Sequence, residues 1–150
     1  TQIVISGETA AVRAAMDIAA QRDARRVIEL KVSGAFHSEL LRSASEGMEK
    51  VLSGVAIERP RCVFVANVSG GAIEDPEQIR RRLVEQIVSP VRWVECMRAL
   101  VNRNAAVFVE VGPGSVLRGL MRKIEPAART LGAGRLSEIE KLPSLLEESP

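Results

Sequence analysis

The chain has 150 residues, 46% of them hydrophobic, and its 21 basic and 19 acidic side chains leave a formal charge of +2. That is enough for one good core rather than two, and the balanced charge offers no electrostatic footprint for nucleic acid. Aromatic residues make up 3% with no tyrosine, too few for base-stacking platforms; no apolar run reaches membrane-span length and no secretory leader pattern is present, so a cytoplasmic protein is expected.

The opening residues Thr1-Gln2-Ile3-Val4-Ile5-Ser6-Gly7 begin directly on a strand pattern with no initiator methionine, as a cut chain would. Residues 2–6 are predicted as a β-branched strand. An amphipathic helix over 8–22 carries Val12, Ala15, Met16 and Ala19 on one face, and residues 26–32 form a second strand. Ser38 is expected to cap a helix over 39–52, its hydroxyl accepting a first-turn amide. Residues 62–67 read as a buried parallel strand closed by Ser69-Gly70-Gly71.

Asp75-Pro76-Glu77-Gln78 is a strong helix start. Asp75 caps, Pro76 takes the first helical position and Gln78 completes a capping-box-like pattern, with the helix running to Val88. Ser89-Pro90 interrupts it. A helix over 91–104, a buried strand over 106–111, a Gly112-Pro113-Gly114 turn and a helix over 115–124 follow, and a final helix is predicted over 137–146. No internal repeat or low-complexity segment is present. Cys62 and Cys96 lack metal-ligand spacing and read as buried apolar fillers in a reducing compartment.

The single histidine lies in Val32-Ser33-Gly34-Ala35-Phe36-His37-Ser38, between a strand pattern and a helix. Histidine is the one side chain that ordinarily exchanges protons near neutral pH, so acid–base chemistry has to start there. Two further stretches follow it: Val84-Glu85-Gln86-Ile87-Val88-Ser89-Pro90-Val91-Arg92-Trp93, and Phe108-Val109-Glu110-Val111-Gly112-Pro113-Gly114-Ser115-Val116-Leu117. In this order and spacing, from Gln2 to about Ile124, the three resemble the C-terminal half of malonyl-CoA:acyl-carrier-protein transacylase and the related acyltransferase domains of polyketide and fatty-acid synthases.

The resemblance implies an α/β fold: the C-terminal part of an α/β-hydrolase-like large subdomain plus half of a ferredoxin-like small subdomain. Residues 1–36 would belong to the small subdomain, 37–126 to the large one, and 127–150 to a C-terminal tail. It implies transfer of malonyl from CoA to the pantetheine thiol of acyl carrier protein through a seryl ester, in fatty-acid or polyketide biosynthesis. Malonyl-CoA is then the substrate and no permanently bound cofactor is required. His37 would be the base, oriented by the backbone carbonyl of Gln86. Phe36 would line the acyl pocket, where a ring excludes the α-methyl branch of methylmalonyl. Arg25 and Arg26 are candidates for docking the acidic carrier protein, whereas Arg22 and the Arg80-Arg81-Arg82 run read as solvated faces.

The family's Gly-His-Ser-x-Gly nucleophile elbow is missing from this sequence, as is its carboxylate-binding arginine. The chain alone is therefore expected to be inactive, and to be unstable, self-associating or dependent on the missing N-terminal half as a partner. Two other readings stay open. One is a non-catalytic half-domain that docks an acyl carrier protein or partner subunit. The other is a small hydrolase using His37 and Ser115, although Ser115 lacks the elbow's second glycine and reads as a helix cap.

Overall fold

A computed structural model describes residues 2–147 and divides into two compact units, Thr1–Arg92 and Trp93–Pro150. Both mix helix and strand, as the α/β expectation requires.

The first unit begins with helix α1, Thr9–Gln21. Its end is set by Asp23 in the left-handed region (φ 58°), which lets the Ala24 N–H bond the Ala19 carbonyl at 3.1 Å, a Schellman-type closure. The predicted strands over 2–6 and 26–32 are not strands: both segments lack regular secondary structure and pair with no other strand among the described residues. Their sequence bias is real, yet a strand exists only as part of a ladder. Ile3 is accordingly 82% exposed and Val32 63%.

A 3₁₀ turn, Glu39–Leu41, leads into α2, Arg42–Ser53, so the helix expected over 39–52 starts in the tighter form. Ser38 makes no side-chain cap. Its hydroxyl instead donates backward to the Ala35 carbonyl at 2.6 Å, the local side-chain-to-backbone competition typical of serine.

Strand β1, Phe64–Val65, pairs with β2, Ala72–Ile73, in register Phe64↔Ile73 and Val65↔Ala72. The pairing is antiparallel, not parallel as predicted, because Gly70 (φ 63°) turns the chain straight back. Helix α3, Pro76–Glu85, has Asp75 accepting from the Glu77 N–H at 3.2 Å and Pro76 in its first turn. It ends before the predicted Val88, where bonds from Ile87 to Val84 and Val88 to Glu85 replace the α pattern by i−3 closure. Ala66, Ile73 and Ile79 form the core of this unit, with Ile57, Phe64 and Leu83 packed on them. Cys62 is exposed, against the expectation of burial, at the rim before β1.

In the second unit α4 spans Trp93–Val101, shorter than the predicted 91–104. Left-handed Asn104 (φ 63°) and the Ala105 N–H to Leu100 carbonyl bond end it as α1 is ended. Strand β3, Val107–Val111, helix α5, Val116–Ile124, and strand β4, Arg129–Ala133, form a parallel βαβ unit with Val107 opposite Arg129 and Val111 opposite Ala133. Strand β3 is half-buried and exposed rather than buried. The expected single helix over 137–146 is two short ones, α6 (Leu136–Ile139) and α7 (Leu142–Glu147), since Pro143 lacks the amide a continuous helix needs. Cys96 and Met121, each 2% exposed, anchor this unit's interior with Met97 and Ala133.

Ser115 occupies the N-cap position of α5 without a side-chain capping bond, a correction to its reading as the cap. Glu110, on β3, does the work: its two oxygens accept from the Leu117 N–H at 3.0 Å and the Arg118 N–H at 3.1 Å, satisfying first-turn amides that have no partner within the helix. Burial pushes the Glu110 carboxyl upward, but those two amides and the Arg118 guanidinium outweigh it and hold it below the ordinary carboxylate value. Glu138 is likewise lowered, chiefly by the Gly134 N–H that it accepts at 2.9 Å.

Candidate active site

His37 is presented by the turn between the irregular 26–32 segment and the Glu39–Leu41 3₁₀ turn. Its own backbone is left-handed, φ 60°, a conformation uncommon outside glycine. The turn is braced by the Ser38 hydroxyl on Ala35, and Ser38 itself is extended. This geometry sends the imidazole toward the C-terminal end of α3, where Nδ1 lies 2.9 Å from the Gln86 carbonyl oxygen.

A carbonyl can only accept, so the proton of that bond resides on Nδ1. Nε2 is thereby left as the basic nitrogen of the neutral ring. The acceptor is well held. Gln86 is the C-cap of α3, with its N–H bonded to the Arg82 carbonyl at 3.0 Å. Its side-chain carbonyl faces the Asn67 amide at 3.5 Å, and the Asn67 backbone carbonyl takes the Arg92 N–H at 2.9 Å. An open cleft of about 240 Å³ runs beside this assembly, with Phe64, Ala66 and Leu83 as its apolar wall and Asn67, Arg82 and Gln86 as its polar rim.

The structure thus brings His37 and Gln86 together across 49 residues of sequence. Phe36 is half exposed next to the histidine, its ring within 3.8 Å of the side-chain position of Gly34. Arg25 and Arg26 are exposed. Arg80 and Arg82 are engaged by Glu77 and Glu85 one turn away on α3, and Arg80 also donates to the Val55 carbonyl at 2.9 Å with its side chain only 20% exposed, a correction to the reading of this run as a solvated face: the Arg80 stem packs under the 53–57 turn. Ser115 is exposed in the second unit.

Three residues of this unit escaped the sequence: Ser45, Asn67 and Arg92. Ser45 is 3% exposed and donates to the Val84 carbonyl at 3.1 Å. Serine in a helix carries no sequence signal of burial. Among the described residues no group of three or more His, Cys, Asp or Glu side chains could hold a metal ion, and no helix is long and apolar enough to cross a membrane.

Residues 1–136 match the family described as the acyl transferase domain. The chain is 37% identical over 147 residues to the malonyl CoA-acyl carrier protein transacylase of Bacillus subtilis, covering 98% of this chain and 46% of that protein. Its fold is similar to the acyl-carrier-protein S-malonyltransferase of Bartonella henselae, with TM-score 0.87 and 36% identity over 94% of this chain and 45% of that one. It is also similar to the PlMCAT:AntF complex, a malonyl-transacylase with its type II PKS acyl-carrier protein, with TM-score 0.84 and 32% identity over 92% of this chain and 45% of that one. The chain spans about half the length of the relatives it matches. With its three motifs in order and its fold shared at this level, the chain belongs to the acyl transferase domain family.

Proposed function

We propose that this chain is the histidine-bearing part of a malonyl-CoA:acyl-carrier-protein transacylase. The observation that carries the reading is the His37 Nδ1 to Gln86 carbonyl bond of 2.9 Å, which leaves Nε2 as the ring nitrogen able to accept a proton in a member of an acyl-transferring family. Acyl transfer needs a nucleophile, a base and oxyanion donors. The serine nucleophile and the donors come from the rest of the enzyme, which is this chain's partner.

The serine O–H gives its proton to His37 Nε2 as the oxygen attacks the thioester carbon of malonyl-CoA. Collapse of the tetrahedral adduct breaks the carbon–sulfur bond, and the CoA thiolate takes the proton from the imidazolium. The resulting seryl malonyl ester is then attacked by the pantetheine sulfur of acyl carrier protein, whose proton passes to Nε2 and finally returns to the serine oxygen. The Gln86 carbonyl holds the ring in the required tautomer and stabilises the imidazolium that forms twice per cycle. No permanently bound cofactor enters.

Phe36, beside the histidine, bounds the acyl pocket. Arg25 and Arg26 offer exposed positive charge to the acidic carrier protein. Residues 1–36 form part of the ferredoxin-like small subdomain, 37–126 the C-terminal part of the α/β-hydrolase-like large one and 127–150 the tail; the strand-like composition of 2–6 and 26–32, without a partner strand among the described residues, supports an incomplete sheet in the small one. The enzyme works in the cytoplasm, serving fatty-acid or polyketide synthesis.

The test is a malonyl-transfer assay on the complete enzyme carrying His37→Ala. A loss of at least roughly 10²–10⁴-fold, the usual worth of a positioned base, with the fold retained, is expected. Near wild-type turnover would remove His37 from the mechanism.

A further inference from the structure

We infer that Ser45 is a positioning residue for His37, an inference that rests on reading His37 as the base but can be tested apart from it. Ser45 is the one residue of α2 that is buried among those described, at 3% exposure. A hydroxyl in a helix ordinarily bonds back to its own preceding turn. This one reaches across 39 residues of sequence to the Val84 carbonyl of α3, at 3.1 Å. Val84 lies in the last turn of α3, where carbonyls lack ordinary helical partners, and its oxygen accepts the Ile87 N–H at 3.3 Å as well. Its two lone pairs are thereby used.

Val84 stands two positions before Gln86. The segment that leaves His37 and becomes α2 is therefore tied to the end of α3 at two places, by His37 Nδ1 on the Gln86 carbonyl and by Ser45 Oγ on the Val84 carbonyl. The first bond is exposed, so water competes for both its partners and its net worth is small. It also hangs from a left-handed residue in a turn. What keeps the ring over Gln86 is the distance at which α2 is held from α3, and that distance is fixed where the helices touch. A small side chain lets them approach there, and its hydroxyl sets their register. Any larger or hydroxyl-free residue loosens the second tie and, through it, the first.

In the complete enzyme, labelled with ¹⁵N on its histidine ring nitrogens, the pair of resonances lost in His37→Ala belongs to His37 and is read at a pH where the ring is neutral. The wild-type enzyme should show the proton on Nδ1. Ser45→Ala removes the hydroxyl without adding volume; Ser45→Thr and Ser45→Val share one shape and differ only in the hydroxyl. Ala and Val are expected to shift the ratio of Nδ1–H to Nε2–H forms by about 2- to 10-fold toward Nε2–H, the range that one net hydrogen bond corresponds to. Thr should stay closer to wild type than Val does. If circular dichroism shows that both branched variants fail to fold, Ala decides. An Ala spectrum identical to wild type, equal Thr and Val ratios in folded proteins, or a wild-type ring already carrying its proton on Nε2 overturns the inference. Loss of malonyl transfer in His37→Ala is a separate readout, so the catalytic reading can fail while the tautomer result stands, and the reverse.

Discussion

The guanidinium of Arg118 lies where a side chain at residue 132 would begin: a Cβ built on Gly132 would stand 2.7 Å from Arg118 Nη1 and 2.8 Å from its Cζ. Arg118 is on α5 and Gly132 on β4, so the arginine crosses the βαβ unit and reaches Glu110 with its Nε at 3.4 Å. A flexible side chain can yield to a methyl group. Gly132→Ala should therefore cost no more than about 1 kcal/mol, while Gly134→Ala, whose Cβ would stand 3.0 Å from the Gly112 carbonyl carbon and 3.2 Å from Pro113 Cα, should cost about 3 kcal/mol because backbone cannot step aside. Thermal melts of the two variants check this; equal melting temperatures would show that the backbone of Gly112 and Pro113 does not exclude a side chain at Gly134.

The lowered Glu110 carboxyl makes an acid-sensitive helix start. A group whose folded value lies below its unfolded one contributes stability above the unfolded value, 4.5 for an ordinary glutamate, and loses it as pH falls through the folded value. Glu110→Gln should lower the melting temperature at neutral pH and flatten its fall below pH 4.5. A variant that parallels wild type from pH 7 to pH 3 would mean that the Leu117 and Arg118 amides do not depend on this carboxylate.

Gln86 serves His37 through its main chain, so its side chain should be dispensable where the imidazole is not. In the complete enzyme, Gln86→Ala is expected to lose at least about ten times less malonyl transfer than His37→Ala. Equal losses would move the role to the Gln86 side chain and its 3.5 Å contact with Asn67.

With Phe36 bounding the acyl pocket as proposed, Phe36→Ser in the complete enzyme should open that pocket beside the histidine. One methyl group in such a pocket is discriminated by roughly 10- to 200-fold, so the kcat/KM ratio for methylmalonyl-CoA over malonyl-CoA is expected to rise by up to that factor. An unchanged ratio with an intact fold places selectivity elsewhere.

Ser115 should take up no acyl group. The chain incubated with labelled malonyl-CoA is expected to show no added mass, since the seryl nucleophile is assigned to the rest of the enzyme. A stoichiometric ester on Ser115 would instead make this chain an enzyme in its own right.

Much of the fold was legible because its signals are local. Asp75-Pro76 marks a helix start by chemistry that needs no distant partner, and α3 begins there. Strand β4 was missed because Arg-Thr-Leu-Gly-Ala has neither alternation nor a β-branched run; its ladder to β3 makes it a strand. Residues 2–6 and 26–32 failed in the opposite sense, having the composition of strands without a ladder. Ser115 looked like a cap by position, and only the fold reveals that Glu110, from the strand before, reaches the same amides first. The His37 to Gln86 contact was legible only through the order of the three motifs, since no local pattern connects residues so far apart. Ser45 left no trace, as a serine facing a neighbouring helix is written the same way as one facing water.

The left-handed backbone at His37 sets durability against chemistry. Glycine adopts φ 60° with no steric cost, whereas a residue with a Cβ does not. Selection for heat resistance alone would therefore drift position 37 toward glycine and discard the imidazole, so libraries of the complete enzyme screened by melting temperature should, on the proposed reading of His37 as the base, enrich for inactive proteins at this one turn.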